Sequence, residues 1–216
     1  FSLYTLELKP GILFQPHPAF SVNADGSPFY QFTDISETEQ FESIDDFTQT
    51  GTKELIADDY IYQIKRLSDP KLVSPLRGLL GQYIVGMPEL GKQIEEVRKQ
   101  QGEDVWVDLR ELAFPGVQKI SDHKFTIKLK GKYPQFKYWL AFHFFAPIPW
   151  QVDYFYHLPG LAEKNISLNW NPVGTGAFMM TKNNPNSEII LERNPNYRHE
   201  QYPATGEDQD AKAGLL

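Results

Sequence analysis

The chain has 216 residues, with 21 Lys and Arg against 28 Asp and Glu, and a formal charge of −7. Hydrophobic residues at 41% and charged residues at 23% are ordinary globular composition and exclude wholesale disorder, and the length allows one large domain or two small ones. With no cysteine there is no disulfide scaffold, no thiol nucleophile and no Cys-type zinc or iron–sulfur site, and the acidic balance without a long Lys/Arg run argues against nucleic acid.

The first residue is Phe1, not Met, and the chain opens within a strand-like pattern, which suggests an excised or processed piece. Residues 3–14 alternate apolar and polar positions around Pro10-Gly11, predicting a hairpin or bent strand pair. Residues 15–53, rich in Pro, Ser, Thr, Asp and aromatics, carry no sustained period and read as a long excursion or insertion.

From Ile56 the period becomes helical, with Ile56, Tyr60, Ile61, Ile64 and Leu67 on one face. Asp58 and Asp59 complement the dipole at its start, Lys65 and Arg66 at its end, and Asp69-Pro70 stops it. A second helix is predicted with Ser74 as N-cap and Pro75 at the first helical position. A third is predicted from Pro88 to Gln101, with Leu90, Ile94 and Val97 inward, Glu95 pairing with Lys99, and Gly102 ending it.

Two strands follow, Gly116–Ile120 and Lys124–Lys130, the latter placing Phe125, Ile127 and Leu129 on a buried face. Pro134 begins a short aromatic helix to about Phe142, and Ala146-Pro147-Ile148-Pro149 must be extended. The run from Tyr138 to Trp150 is too short to span a bilayer. A Gly-rich turn at Pro172–Gly176 precedes two more strands, Ala177–Thr181 and Glu188–Arg193, and the acidic tail from Glu200 to Asp210 reads as a loop.

Catalytic constellations are missing. The five histidines (His17, His123, His143, His157 and His199) lack metal-ligand spacing. Asp58 and Asp59 point about 100° apart on a helix and cannot share one acid–base site. There is no GxSxG, Walker loop or dinucleotide fingerprint. No catalytic residue, metal ligand or cofactor is therefore assigned.

Four segments in order carry a resemblance: Tyr4 to Phe14, Leu55 to Pro70, Pro134 through Pro149, and the tandem Pro172-Val173-Gly174-Thr175-Gly176-Ala177-Phe178 with Leu191-Glu192-Arg193-Asn194-Pro195-Asn196-Tyr197. The chain resembles the family 5 extracellular solute-binding proteins, the oligopeptide/dipeptide-type receptors of bacterial ABC importers. It departs from the family pattern at Gln15-Pro16-His17-Pro18, where His-Asp-Gly is usual, and at Ala177-Phe178, where Pro-Tyr is usual.

The resemblance implies a mixed α/β (α+β) fold, a fragment of a periplasmic binding protein type II-like lobe with a small mixed sheet and flanking helices. Residues 1–165 would be the accessory domain, with an insertion at 15–53, and 166–216 the re-entry strands of the first lobe. It implies a non-enzymatic receptor that captures a peptide or other small solute outside the cytoplasmic membrane, periplasmic or membrane-tethered, and delivers it to a permease. The ligand-binding residues it suggests are His143, Phe144, Gly174, Thr175 and Gly176. The rival readings are a glycan-directed hydrolase, which would need two convergent carboxylates, and an interaction module using Trp139, Trp150 or Trp170.

Overall fold

A computed structural model describes residues 1–200, so the expected tail loop lies, beyond Glu200, outside the described residues. The first sheet has the order β1 (Ser2–Glu7), β3 (Lys124–Leu129), β2 (Val117–Ser121), with both pairings antiparallel. β3 is central because its alternation puts Phe125, Ile127 and Leu129 fully inside, opposite Leu6 and Tyr4 of β1 across the register. The hairpin expected around Pro10-Gly11 does not form. β1 finds its partner more than a hundred residues away, and Gly11, at φ +78°, turns the chain so that Leu13 bridges Glu54 instead.

Against this sheet pack α1 (Ala57–Arg66), α2 (Arg77–Tyr83) and α3 (Met87–Gln101). In α1 the Asp59 carboxylate accepts the Ile56 N–H at 2.9 Å and so closes the N-terminus of the helix. The α2 boundary shifts from the expectation. Ser74 and Pro75 make a preceding turn, and the helix starts at Arg77. α3 buries Leu90 and Ile94 as expected and ends at Gly102, φ +120°. Lys99, however, pairs with Glu96 at 3.0 Å, one residue closer than the expected Glu95.

The aromatic helix is shorter than expected: α4 covers Phe136–Trp139, and a separate 3-10 turn spans His143–Phe145. α5 (Trp150–Phe155) had no counterpart in the sequence reading. Pro149 precedes its first turn, and Val152 and Phe155 face inward three residues apart. Residues 15–53 form no regular strand or α-helix, yet they are packed. The stretch contains three 3-10 turns, and Phe20, Tyr30 and Phe47 enter a second apolar cluster with Phe14, Phe155 and Tyr156, where Phe41 stacks on Phe47 at 4.1 Å. Finally β4 (Phe178–Asn183) and β5 (Ile189–Arg193) pair antiparallel as a two-stranded sheet of their own. The mixed α/β architecture is thus observed, and the pairing in both sheets is antiparallel.

Candidate functional site

The Gly-rich turn is clasped from both sides. Gln15 donates its backbone N–H to Gly174 O at 2.9 Å, and its side-chain Oε1 accepts the Gly174 N–H at 3.1 Å. On the other flank buried Asn194 donates through Nδ2 to Gly176 O at 2.8 Å and through its backbone N–H to Ala177 O at 2.9 Å. Asn196, two residues on, donates to Phe14 O at 2.8 Å, which ties the end of β5 to the strand-like stretch before Gln15. Arg198 Nη1 reaches Thr175 O at 3.4 Å. The Asn194-Pro195-Asn196 motif therefore works as the clasp of the turn. The sequence marks Gln15 only as a departure from the family pattern, because nothing local announces a glutamine that bonds 159 residues away.

Neither Gly174 nor Gly176 has positive φ, and a Cβ on either would meet nothing closer than 3.8 Å. The turn does not need glycine for its own backbone, contrary to the usual reason for Gly-Thr-Gly. Beside it lies a cavity of about 310 Å³ whose lining includes Gln15, His17, Asn171, Pro172, Met179 and Met180. Residues on either side of the turn line this cavity. Gly174, Thr175 and Gly176 themselves do not.

His17, which lines the cavity, is buried and uncharged. Its Nδ1 accepts the Ala19 N–H at 3.1 Å, so Nε2 carries the proton and donates to Tyr156 Oη at 2.9 Å. Tyr156 in turn donates to Asn171 O at 2.6 Å. Burial holds the imidazole down at about 3.

The other two expected ligand residues stand apart. His143 is exposed, with its ring 4.1 Å from that of Phe144. Phe144 is half-buried against the first core, its carbonyl accepting Gln63 Nε2–H at 2.8 Å. Neither lines the cavity beside the turn. The expected residues therefore form two groups, and the structure does not join them.

A polar group of the interior that had no place in the sequence reading is Asp153 on α5. It accepts Tyr62 Oη–H at 2.7 Å, Trp106 Nε1–H at 2.9 Å and Arg66 Nε–H at 2.7 Å. Burial raises this carboxyl, but Arg66, His157 and the two hydrogen bonds outweigh it and hold it below the ordinary range. With three donors fixed on it, Asp153 is a structural hub between α1 and α5. Asp58 and Asp59 diverge as helical geometry requires, Asp58 to Lys119 and Asp59 to Lys53. No group of three or more His, Asp or Glu side chains is arranged for a metal among the described residues. Among them, too, no helix is long and apolar enough to cross a membrane.

Comparison with solved structures finds the same fold in peptide-binding proteins. A periplasmic oligopeptide-binding protein of Borrelia burgdorferi matches with a TM-score of 0.52 and 18% identity, over 91% of this chain and 28% of its own. Haemophilus influenzae OppA, in complex with RPPGFSPFR, matches with 0.51 and 18%, over 92% and 28%. The ABC transporter-associated periplasmic binding protein DppA of Helicobacter pylori, in complex with the peptide STSA, matches with 0.51 and 17%, over 92% and 28%. The chain thus spans under a third of the length of these proteins. Among curated proteins no match was found. The sequence profile of the bacterial extracellular solute-binding proteins, family 5 Middle, matches residues 49–210, well over half of the chain. On that match the chain belongs to the bacterial extracellular solute-binding proteins of family 5.

Proposed function

We propose that the chain is part of the substrate-binding component of an ABC importer. The complete receptor captures oligopeptides or a related small solute outside the cytoplasmic membrane and delivers them to a permease. It is periplasmic, or extracellular and tethered to the membrane, and it catalyses no reaction. The observation that carries this reading is the family match across residues 49–210. The peptides named with the Haemophilus influenzae and Helicobacter pylori proteins support a peptide as the solute.

Within that reading residues 1–165 are the accessory domain and 166–216 the re-entry strands of the first lobe. The exposure of Ile189, Ile190 and Leu191 on the β4–β5 hairpin supports the second assignment, because apolar residues on successive positions of a strand fit one covered on both faces. Gly174, Thr175 and Gly176 contact the solute through their backbone, and His143 with Phe144 meets it from a second position. The open space around the two glycines, which their own fold does not require, supports close approach from outside.

The glycan-hydrolase alternative finds no convergent carboxylate pair in Asp58 and Asp59, which serve different lysines. The test is native mass spectrometry of the longer polypeptide, purified without denaturation. Co-purifying peptide, exchangeable for added peptide, is the expected result. A receptor that releases only a non-peptide solute would overturn the peptide reading.

A further inference from the structure

One stretch runs against the overall charge of −7. Residues 123–152 carry five lysines, Lys124, Lys128, Lys130, Lys132 and Lys137, and no Asp or Glu. Lys124 is committed to Glu7. The other four are exposed and form no ion pair among the described residues. Lys128 lies over the ring of Phe1, 4.7 Å from its centroid, and Lys137 over that of Tyr138 at 5.1 Å. Neither contact brings a counter-charge.

The fold gathers these lysines at one end of the first sheet. Lys128 and Lys130 alternate with buried Ile127 and Leu129 and so leave β3 on its wet side. Ser2 Oγ donates to Gly131 O at 2.6 Å and Tyr4 Oη to Tyr133 O at 3.0 Å, which ties the turn beyond β3, with Lys132, to the start of β1. Trp139 Nε1 donates to Tyr133 Oη at 2.7 Å and fixes α4, with Lys137, to the same turn. The segments bonded to residues 126–139, namely residues 2–5, 83–85 and 116–118, carry no Asp or Glu. Glu7 stands at the far end of β1, about 17 Å from Ser2 at about 3.4 Å per residue. That is twice the screening length of about 8 Å at physiological salt. Two large aromatics accompany the lysines, Tyr138 on α4 and Phe142 just past it, 61% and 49% exposed.

We propose that this end of the sheet rests on the anionic surface of a membrane. Lipid phosphates supply the counter-charge that Lys128, Lys130, Lys132 and Lys137 lack, and Tyr138 and Phe142 enter the headgroup level, where aromatic side chains settle. The net charge of the chain does not prevent this, because carboxylates beyond a screening length act weakly on a surface that faces the lysines. The aromatics favour a bilayer over an acidic polypeptide, since they gain nothing from added carboxylates but transfer favourably to an interface. The proposal rests on the receptor reading only for its location, outside the cytoplasmic membrane, and needs no bound solute.

The experiment is flotation of the chain with vesicles of phosphatidylcholine alone, or with phosphatidylglycerol as one lipid in three. Binding is expected only to the anionic vesicles, and should be lost in about 1 M sodium chloride, where the screening length falls to about 3 Å. Each lysine near an anionic surface contributes about fivefold, the equivalent of about 1 kcal/mol. Lys128→Gln with Lys130→Gln, and separately Lys132→Gln with Lys137→Gln, should therefore each weaken binding roughly twenty-five-fold. Tyr138→Ser with Phe142→Ser should weaken it without changing its dependence on salt. Lys71→Gln with Lys92→Gln, outside this end of the sheet, should leave it unchanged. No binding to anionic vesicles, equal binding to neutral ones, or an equal loss in the Lys71 and Lys92 control would overturn the proposal. Full displacement by polyglutamate with no effect of the aromatic substitutions would also overturn it, in favour of an acidic polypeptide. Should a double variant fail to fold by circular dichroism, its single substitutions decide the matter. Failure here leaves the solute test of the longer polypeptide untouched, so the two readings fall separately.

Discussion

Arg66 on α1 and Asp153 on α5 form an ion pair at 2.7 Å with both side chains nearly out of contact with water. The pair bridges the two apolar clusters, since α1 belongs to the first and α5 to the second. Removing one partner leaves the other charged, buried and uncompensated. Asp153→Ala should therefore cost about 3–5 kcal/mol in urea denaturation. Because the folded carboxyl sits below its ordinary 3.8, the stabilisation is complete above that pH and is lost as the pH falls through the lower folded value. A cost under about 1 kcal/mol would show that the hub does not hold the helices together.

His17 makes the protein acid-sensitive at a higher pH. Its folded value of about 3 lies below the ordinary 6.5, so between the two the unfolded chain binds the extra proton and stability falls as the pH falls. The groups around His17 are the Tyr156 hydroxyl, the Ala19 N–H and the rings of Phe20 and Phe155, none of them charged. From this residue alone, stability at about pH 4.5 should be roughly 2–3 kcal/mol below that at about pH 7. His17→Asn, which keeps an acceptor for Ala19, should flatten that limb of the stability–pH curve. An unchanged slope would place the acid sensitivity elsewhere.

Glycine-to-alanine substitutions should separate folding from ligand approach. Gly174→Ala and Gly176→Ala have room and no positive φ, so stability should change by no more than about 1 kcal/mol, in the stabilising direction where it changes. In the longer receptor the same substitutions should weaken solute binding. Gly160→Ala is the contrast, because its φ of +78° and a Cβ position 2.7 Å from Ile35 Cγ1 make it destabilising. Full solute affinity in both variants of the turn would reduce Gly174 and Gly176 to bystanders.

The β4–β5 hairpin should behave differently in the chain and in the longer polypeptide. Ile189 and Leu191 are 56% and 57% exposed, so changing both to Lys should leave the chain's stability within about 0.5 kcal/mol and reduce its self-association in sedimentation velocity. In the longer protein, where the re-entry reading covers these strands, the same double substitution should destabilise strongly. Equal stability of both longer proteins would refute that reading.

Peptide binding should need more than this chain. A receptor that closes two walls on its solute loses most of the buried contact with one wall gone, while the entropy cost of fixing the ligand remains. A micromolar complex has about −8.2 kcal/mol, and half of that corresponds to about millimolar binding. Calorimetry of the chain with a peptide library should give no dissociation constant tighter than millimolar. A micromolar constant would show that one wall is enough.

The local pattern of the chain was enough for α1, α3, β3 and the β4–β5 hairpin. In each the period of apolar residues and the caps act within a few residues, as with Asp58, Asp59 and Gly102. The tandem Gly-Thr-Gly and Asn-Pro-Asn motifs also announced the family. What residues distant in the chain decide together was not legible. β1 joined β3 rather than its neighbour, because an inward-facing partner for Tyr4 and Leu6 exists only across the sheet. Gln15, Asn194 and Asn196 became the clasp of the turn only when the chain brought them to it. Asp153 sits in a helix whose two inward residues give too short a signal to count, and its three donors come from residues 47 to 91 positions away. Hydrogen bonds of that reach leave no period in a sequence, because their energy depends on where the backbone ends up and not on which residue comes next.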